Sequence, residues 1–181
     1  MAILITGTPG VGKTTLSTLL SEKTGRPHIE LAELVKREKL YVGYDERSQS
    51  YIVDEERVKK RLRDMLTCKE IVDTHVVSAL PREKISLAIV LRLDPQVLEK
   101  RLKQRRYPPV KIKSNVESEI LGYVTVDAVN LFGEERVNEI DVTGLTPEET
   151  LKLVLSIIEG VERRRPGKID WLEKYWGLLQ E

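Results

Sequence analysis

Apolar positions along the chain switch repeatedly between two periods. Ala2-Ile3-Leu4-Ile5 is a continuous apolar run, the pattern of a strand buried on both faces. Leu16, Leu19 and Leu20 then recur at helical spacing up to a stop at Gly25. A short strand is predicted at about 27–30, a helix at about 32–40, and then a loop of Tyr, Gly and Ser residues through Tyr51 whose composition predicts mobility. Asp54, followed by Glu55 and Glu56, starts a helix with Val58, Leu62, Met65 and Leu66 on one face. Residues 70–76 and 87–93 read as further strands. Asp94-Pro95 supplies a cap and a first helical residue, and Pro108-Pro109 interrupts the basic stretch 103–113. Ser114-Asn115-Val116-Glu117 reads as a capping box for a helix burying Val116, Ile120, Tyr123 and Val124. A last core strand at 137–142 precedes a second capping box, Thr146-Pro147-Glu148-Glu149, whose helix stops at Gly160. The basic run Arg163-Arg164-Arg165 leads into a final helix with Trp171 and Trp176, expected to pack on the domain. This alternation predicts an α/β fold around a central parallel sheet.

The candidate chemistry sits at the first strand-to-helix junction. Gly7-Thr8-Pro9-Gly10-Val11-Gly12-Lys13-Thr14 fits the phosphate-loop pattern G-x-x-x-x-G-K-[ST] in the strand-loop-helix context it requires. Gly10 and Gly12 let backbone N–H groups and the helix N-terminus face a polyphosphate. Lys13 would reach the β- and γ-phosphates, the Thr14 hydroxyl would ligate Mg²⁺, and Thr15 would support the α-phosphate. Asp73 ends a predicted strand, at the sheet edge where ligands of open α/β folds bind, and suits a magnesium-water ligand. His75, two residues on in the same strand, points to the same side and would orient an attacking water. His28 reads as structural. Arg101 and Arg105 lie at i,i+4 on one helical face, from which both reach one polyphosphate or base.

Composition narrows the classes without choosing among them. The 181 residues suit a single domain, 1–181, and a net charge of +1 from 30 basic and 29 acidic residues gives no bulk case for nucleic acid or membrane binding. One cysteine forbids an internal disulfide, and no apolar run reaches spanning length, so a soluble, reducing compartment is expected, cytoplasmic or, in a eukaryote, nuclear. The Asn-Lys-x-Asp quartet with which GTPases read guanine is absent.

The chain resembles the small, broad-specificity adenylate kinases of archaea and eukaryotic nuclei, which also act as ATPases in small ribosomal subunit maturation. The resemblance spans nearly the whole chain. It rests on the phosphate loop, Gly43-Tyr44-Asp45-Glu46 with Asp54-Glu55, Asp73-Thr74-His75, and Arg105-Arg106-Tyr107 with Lys111-Ile112, Asn115-Val116 and Glu119-Ile120. It implies a P-loop nucleoside monophosphate (NMP) kinase fold with a five-stranded parallel sheet and helices on both faces. An acceptor-binding insertion would lie near residues 30–53 and a lid near 104–114. It also implies reversible phosphoryl transfer from Mg·ATP to AMP or another NMP, slow ATP hydrolysis, and a ribosomal small-subunit protein and pre-ribosomal RNA as partners. Lys13, Asp73, His75 and Arg105 would carry the chemistry, with Arg101 and Arg105 on the ATP. Glu33 and Lys36 resemble the Asp and Arg of the monophosphate-binding helix, and Tyr44 would stack on or border the acceptor base. Two other readings stay open: an assembly ATPase with incidental kinase activity, and a small-metabolite kinase on the same scaffold.

Overall fold

The computed structural model describes residues 2–179, so residues 1, 180 and 181 of the expected domain lie outside the described residues. Strand β1 (Ala2–Thr6) runs through the phosphate loop into α1 (Lys13–Thr24), β2 (His28–Glu30) and α2 (Leu31–Arg37). Strands β3 (Tyr41–Asp45) and β4 (Ser50–Val53) precede α3 (Glu55–Met65), β5 (Ile71–Asp73), β6 (Ile85–Arg92) and α4 (Pro95–Gln104). Helices α5 (Pro109–Leu121) and α6 (Tyr123–Phe132), strand β7 (Val137–Asp141), α7 (Pro147–Ile158) and the short α8 (Leu172–Tyr175) complete the order. Five strands form one parallel sheet in the order β2-β5-β1-β6-β7, and β3 and β4 form a separate antiparallel hairpin.

Strand alternation divides the core into two layers. Ala2 and Leu4 of β1 face a cluster with Leu34 of α2, Leu62 of α3 and Phe132 of α6. Ile3 and Ile5 face the opposite cluster, with Leu16 and Leu20 of α1, Leu98 and Leu102 of α4, Ile120 of α5 and Val154 of α7. The expected five-stranded sheet with helices on both faces is therefore present, and every strand of it is parallel, which places the strand ends β1, β2 and β5 on one edge.

Several expected elements differ. The loop through Tyr51 is the β3–β4 hairpin. The Asp45 carboxylate accepts from Arg47 N, Ser48 N and the Ser48 hydroxyl, folding the turn without an Asn-Gly signal, and Tyr51 stacks against Tyr41 and Tyr44 at 4.4 and 5.2 Å between ring centroids. Helix α2 ends at Arg37 because Lys39 turns into the left-handed region (φ 54°). Strand β5 stops at Asp73, where Val76 N turns back onto the Thr74 hydroxyl. Ser114-Asn115-Val116-Glu117 is the interior of α5, not a cap. Pro109 opens that helix at its first turn and the spacing of Ile112, Val116 and Ile120 keeps it intact. Gly122 (φ 65°) then resets the face, leaving Tyr123 55 % exposed rather than in the buried stripe. In the closing segment Tyr175, not Trp176, is buried; Trp176 is 56 % exposed. The basic run itself is structural: Glu139 N donates to Arg164 O at 2.9 Å and Arg164 N to Asn138 Oδ1 at 2.8 Å, so it lines the outer edge of β7.

Candidate active site

The phosphate loop opens at the carboxyl end of β1. Gly12 takes φ 114° at the helix N-cap with nothing within 4 Å of a hypothetical Cβ, so its requirement is conformational. At Gly10 (φ 100°) a Cβ would also lie 2.9 Å from the Leu98 and Leu102 side chains, so this glycine lets the loop close onto α4 as well. Lys13 begins α1 with its side chain largely buried, and Nζ donates to Thr8 O at 3.2 Å. Burial pushes the Lys13 pKa down to about 8; Arg105 acts in the same direction, while Asp73, Glu119 and Glu30 oppose it. The ammonium is therefore mostly charged at neutral pH. Thr14 and Thr15 follow, both exposed, and Thr15 lines the recess described below.

Asp73 lies on the central edge of the sheet, in register with Ile5 of β1 and Glu30 of β2. It is 3 % exposed, and its Oδ2 has no hydrogen-bond partner among the described residues; His28 Nε2 stands 3.4 Å away. A buried carboxylate oxygen left free beside the phosphate loop fits a hydrated divalent cation. His28, read as structural from the sequence, thus borders the site. Glu30 was not anticipated. Its partial burial, followed by the charges of Asp73 and Glu33, raises its pKa above the ordinary carboxylate value. The signal for it was available, since Glu30 ends β2 as Asp73 ends β5.

His75 lies beyond the end of β5 in a bend, so strand alternation does not place it. His75 is an exposed residue. Desolvation, then the charges of Lys13 and Lys111, push its pKa down to about 4 against the pull of Asp73. The imidazole is neutral at pH 7.

A recess of about 260 Å³ opens on the other side of the loop. Arg101, Arg105, Gly12 and Thr15 line it together with Val142, Leu145 and Pro147 of the β7–α7 junction. Both arginines meet there as their spacing predicts, although Arg105 is the C-cap of α4 rather than a residue within it. Arg101 also donates to Val11 O at 3.4 Å. A lining of guanidinium groups and apolar side chains suits a polyphosphate carrying a flat ring. The three apolar residues carry no motif, so only the fold brings them in.

Helix α2 exposes Glu33 and Lys36, and the hairpin presents Tyr44 half open to solvent. The expected lid, 104–114, is the turn after α4 plus the first turns of α5. Lys111 on it reaches across to Ser50 of the hairpin (Nζ to Oγ, 3.3 Å) and lies 5.0 Å from the Tyr107 ring centroid. The segment 104–114 and the β3–β4 hairpin therefore touch.

Residues 3–122 match a family model described as an AAA domain. A protein of Methanocaldococcus jannaschii named "Putative adenylate kinase" is 39% identical over 184 residues, covering 99% of this chain and 97% of its own. The chain belongs to this adenylate kinase family. A Thermococcus kodakarensis member with the same name is 37% identical over 181 residues, covering 99% of this chain and 97% of its own. Among solved structures, shikimate kinase from Aquifex aeolicus superposes with a TM-score of 0.57 at 20% identity, covering 88% of this adenylate kinase family chain and 97% of its own. At that identity the likeness speaks to the fold alone.

Proposed function

We propose that this chain is a nucleotide kinase that transfers the γ-phosphoryl group of ATP reversibly to AMP or a related nucleoside monophosphate, giving two diphosphates when the acceptor is AMP. What supports this reading is the phosphate loop, with the buried Lys13 and Asp73 and a recess lined by Arg101 and Arg105, together with the exposed Glu33, Lys36 and Tyr44, which we assign to an acceptor wall. A hydrolase needs only the first side. Phosphoryl transfer asks for in-line positioning and positive charge around the equatorial oxygens, and Lys13 with Arg105 supplies the charge. Lys36 holds the acceptor phosphate as a point charge, and Tyr44, backed by Tyr51, borders the acceptor base. Thr14 and, through water, Asp73 would hold Mg²⁺, which when bound neutralises charge on the β- and γ-phosphates. The contact of Lys111 with Ser50 supports closure of lid and insertion over both ligands, excluding water from the transfer.

A slow ATPase activity accompanies the kinase. The neutral His75 imidazole, near Lys13, accepts a proton from or orients a water when no acceptor fills its place. A part in small ribosomal subunit maturation, with a ribosomal protein and pre-ribosomal RNA as partners, rests on the family resemblance alone. The two-sided site is tested with a ligand joining two adenosines through a chain of five phosphates. It should compete with both ATP and AMP; competition with ATP only would remove the acceptor wall from the site.

A further inference from the structure

The phosphate loop is tied to a buried charged network that the chemistry above leaves unused. Thr8 Oγ1 donates to Glu119 Oε2 at 2.5 Å, from inside the loop to the lid helix α5. Glu119 Oε1 accepts from Arg92 Nε at 2.8 Å and from Leu93 N at 3.0 Å, while Arg92 Nη2 donates to Glu119 O at 2.7 Å. Arg92 also pairs with Glu139 of β7, which in turn accepts from Thr125 and, at 2.8 Å, from Gly167 N. Glu119 is 1 % exposed and Arg92 3 %. Every carboxylate oxygen of the network has a partner, so it is rigid; yet burying such a set is no route to stability, since apolar residues of similar volume commonly do as well or better.

Its placement points to a different use. The carbonyl of Thr8 receives the Lys13 ammonium, and the hydroxyl of the same residue is held by Glu119. Glu119 lies about two helical turns along α5 from Lys111, the residue that reaches the acceptor hairpin. We propose that Glu119, clamped by Arg92, is a positioning residue that fixes the phosphate loop through Thr8 and so couples the lid helix to ATP binding. The proposal rests on the reading of this loop as the ATP site. It makes Thr8 specific as a hydroxyl, beyond its place as one of the four unspecified positions of the loop pattern.

The test compares Thr8→Val, which keeps the shape and loses the donor, with Thr8→Ser, which restores it, and with Glu119→Gln. Dissociation constants for Mg·ATP are measured by calorimetry, KM for AMP at saturating ATP, and Tm alongside. Thr8→Val and Glu119→Gln should each weaken Mg·ATP by about tenfold, the scale of one hydrogen bond to a charged group, with AMP KM nearly unchanged. Thr8→Ser should bind like the parent, and the double variant should be no weaker than the weaker single variant. Lower Tm with unaltered Mg·ATP affinity in both variants would mark the network as structural and overturn the proposal. So would additive losses in the double variant. A parent protein that binds no Mg·ATP would overturn the functional reading as well, which separates the two failures.

Discussion

At the scale of single residues, Lys13 bears the heaviest demand. It is buried at the start of α1 with Asp73, Glu119 and Glu30 offsetting the cost of its charge. Lys13→Ala should reduce both phosphoryl transfer and ATP hydrolysis by at least about 10²-fold, the usual loss when one preorganised charge contact is removed; steady-state assays of the two reactions check it, and retained turnover would exclude the loop. His75 makes the opposite prediction, of unequal effects. His75→Ala should depress phosphate release more than AMP phosphorylation, because the acceptor brings its own oxygen nucleophile; equal losses in parallel assays would remove the water-orienting role. On the acceptor wall, Lys36→Ala should raise KM for AMP and spare ATP hydrolysis, measured with ATP saturating. The residues with a spacing rule were legible in the sequence: the loop glycines, Lys13, and the Arg101/Arg105 pair. His28 and Glu30 were less so, because each depends on which strand lies beside β5, and strand order is written in no local pattern.

Elements are where local signals and tertiary packing compete. Asp94 shows the two agreeing. Its Oδ1 caps Gln96 and Val97 at the start of α4, while Oδ2 accepts from Tyr175 Oη at 2.5 Å and Lys174 Nζ at 2.9 Å of the closing segment. Burial acts to raise its pKa, but the Tyr175 and Lys174 hydrogen bonds and the two backbone donors outweigh it and hold the carboxyl below the usual range. Its stabilising contribution is therefore complete above the unfolded pKa of about 3.9 and is lost as pH falls through the lower folded value. Asp94→Ala should cost about 2 kcal/mol at neutral pH by denaturant titration and should flatten the acid limb of stability; an unchanged acid limb would contradict this. The hairpin and α5 show the signals disagreeing. Asp45 makes the hairpin turn with its side chain, and the strands are held by tyrosine stacking, neither of which gives a strong alternating pattern. The polar quartet 114–117 resembles a helix start, but Pro109 had already begun the helix and the buried stripe of Ile112, Val116 and Ile120 overrides it.

For the whole molecule, a five-stranded parallel sheet fixes the geometry of everything above it. The continuous apolar runs of β1 and β6 were plain, so the architecture was legible from the chain alone. The meeting of lid and hairpin was not, since Lys111 and Ser50 are far apart in sequence and each is an ordinary surface residue until the fold opposes them. An acceptor side added to the ATP side, as proposed, would separate a kinase from a simple hydrolase on the same phosphate loop. Among the described residues no helix is long and apolar enough to cross a membrane. The most direct measurement incubates the protein with Mg·ATP, with and without AMP, and follows ADP and free phosphate separately. AMP should drive rapid formation of two ADP per ATP consumed, with phosphate appearing far more slowly. Slow phosphate release alone, unchanged by AMP or any other nucleoside monophosphate, would contradict it.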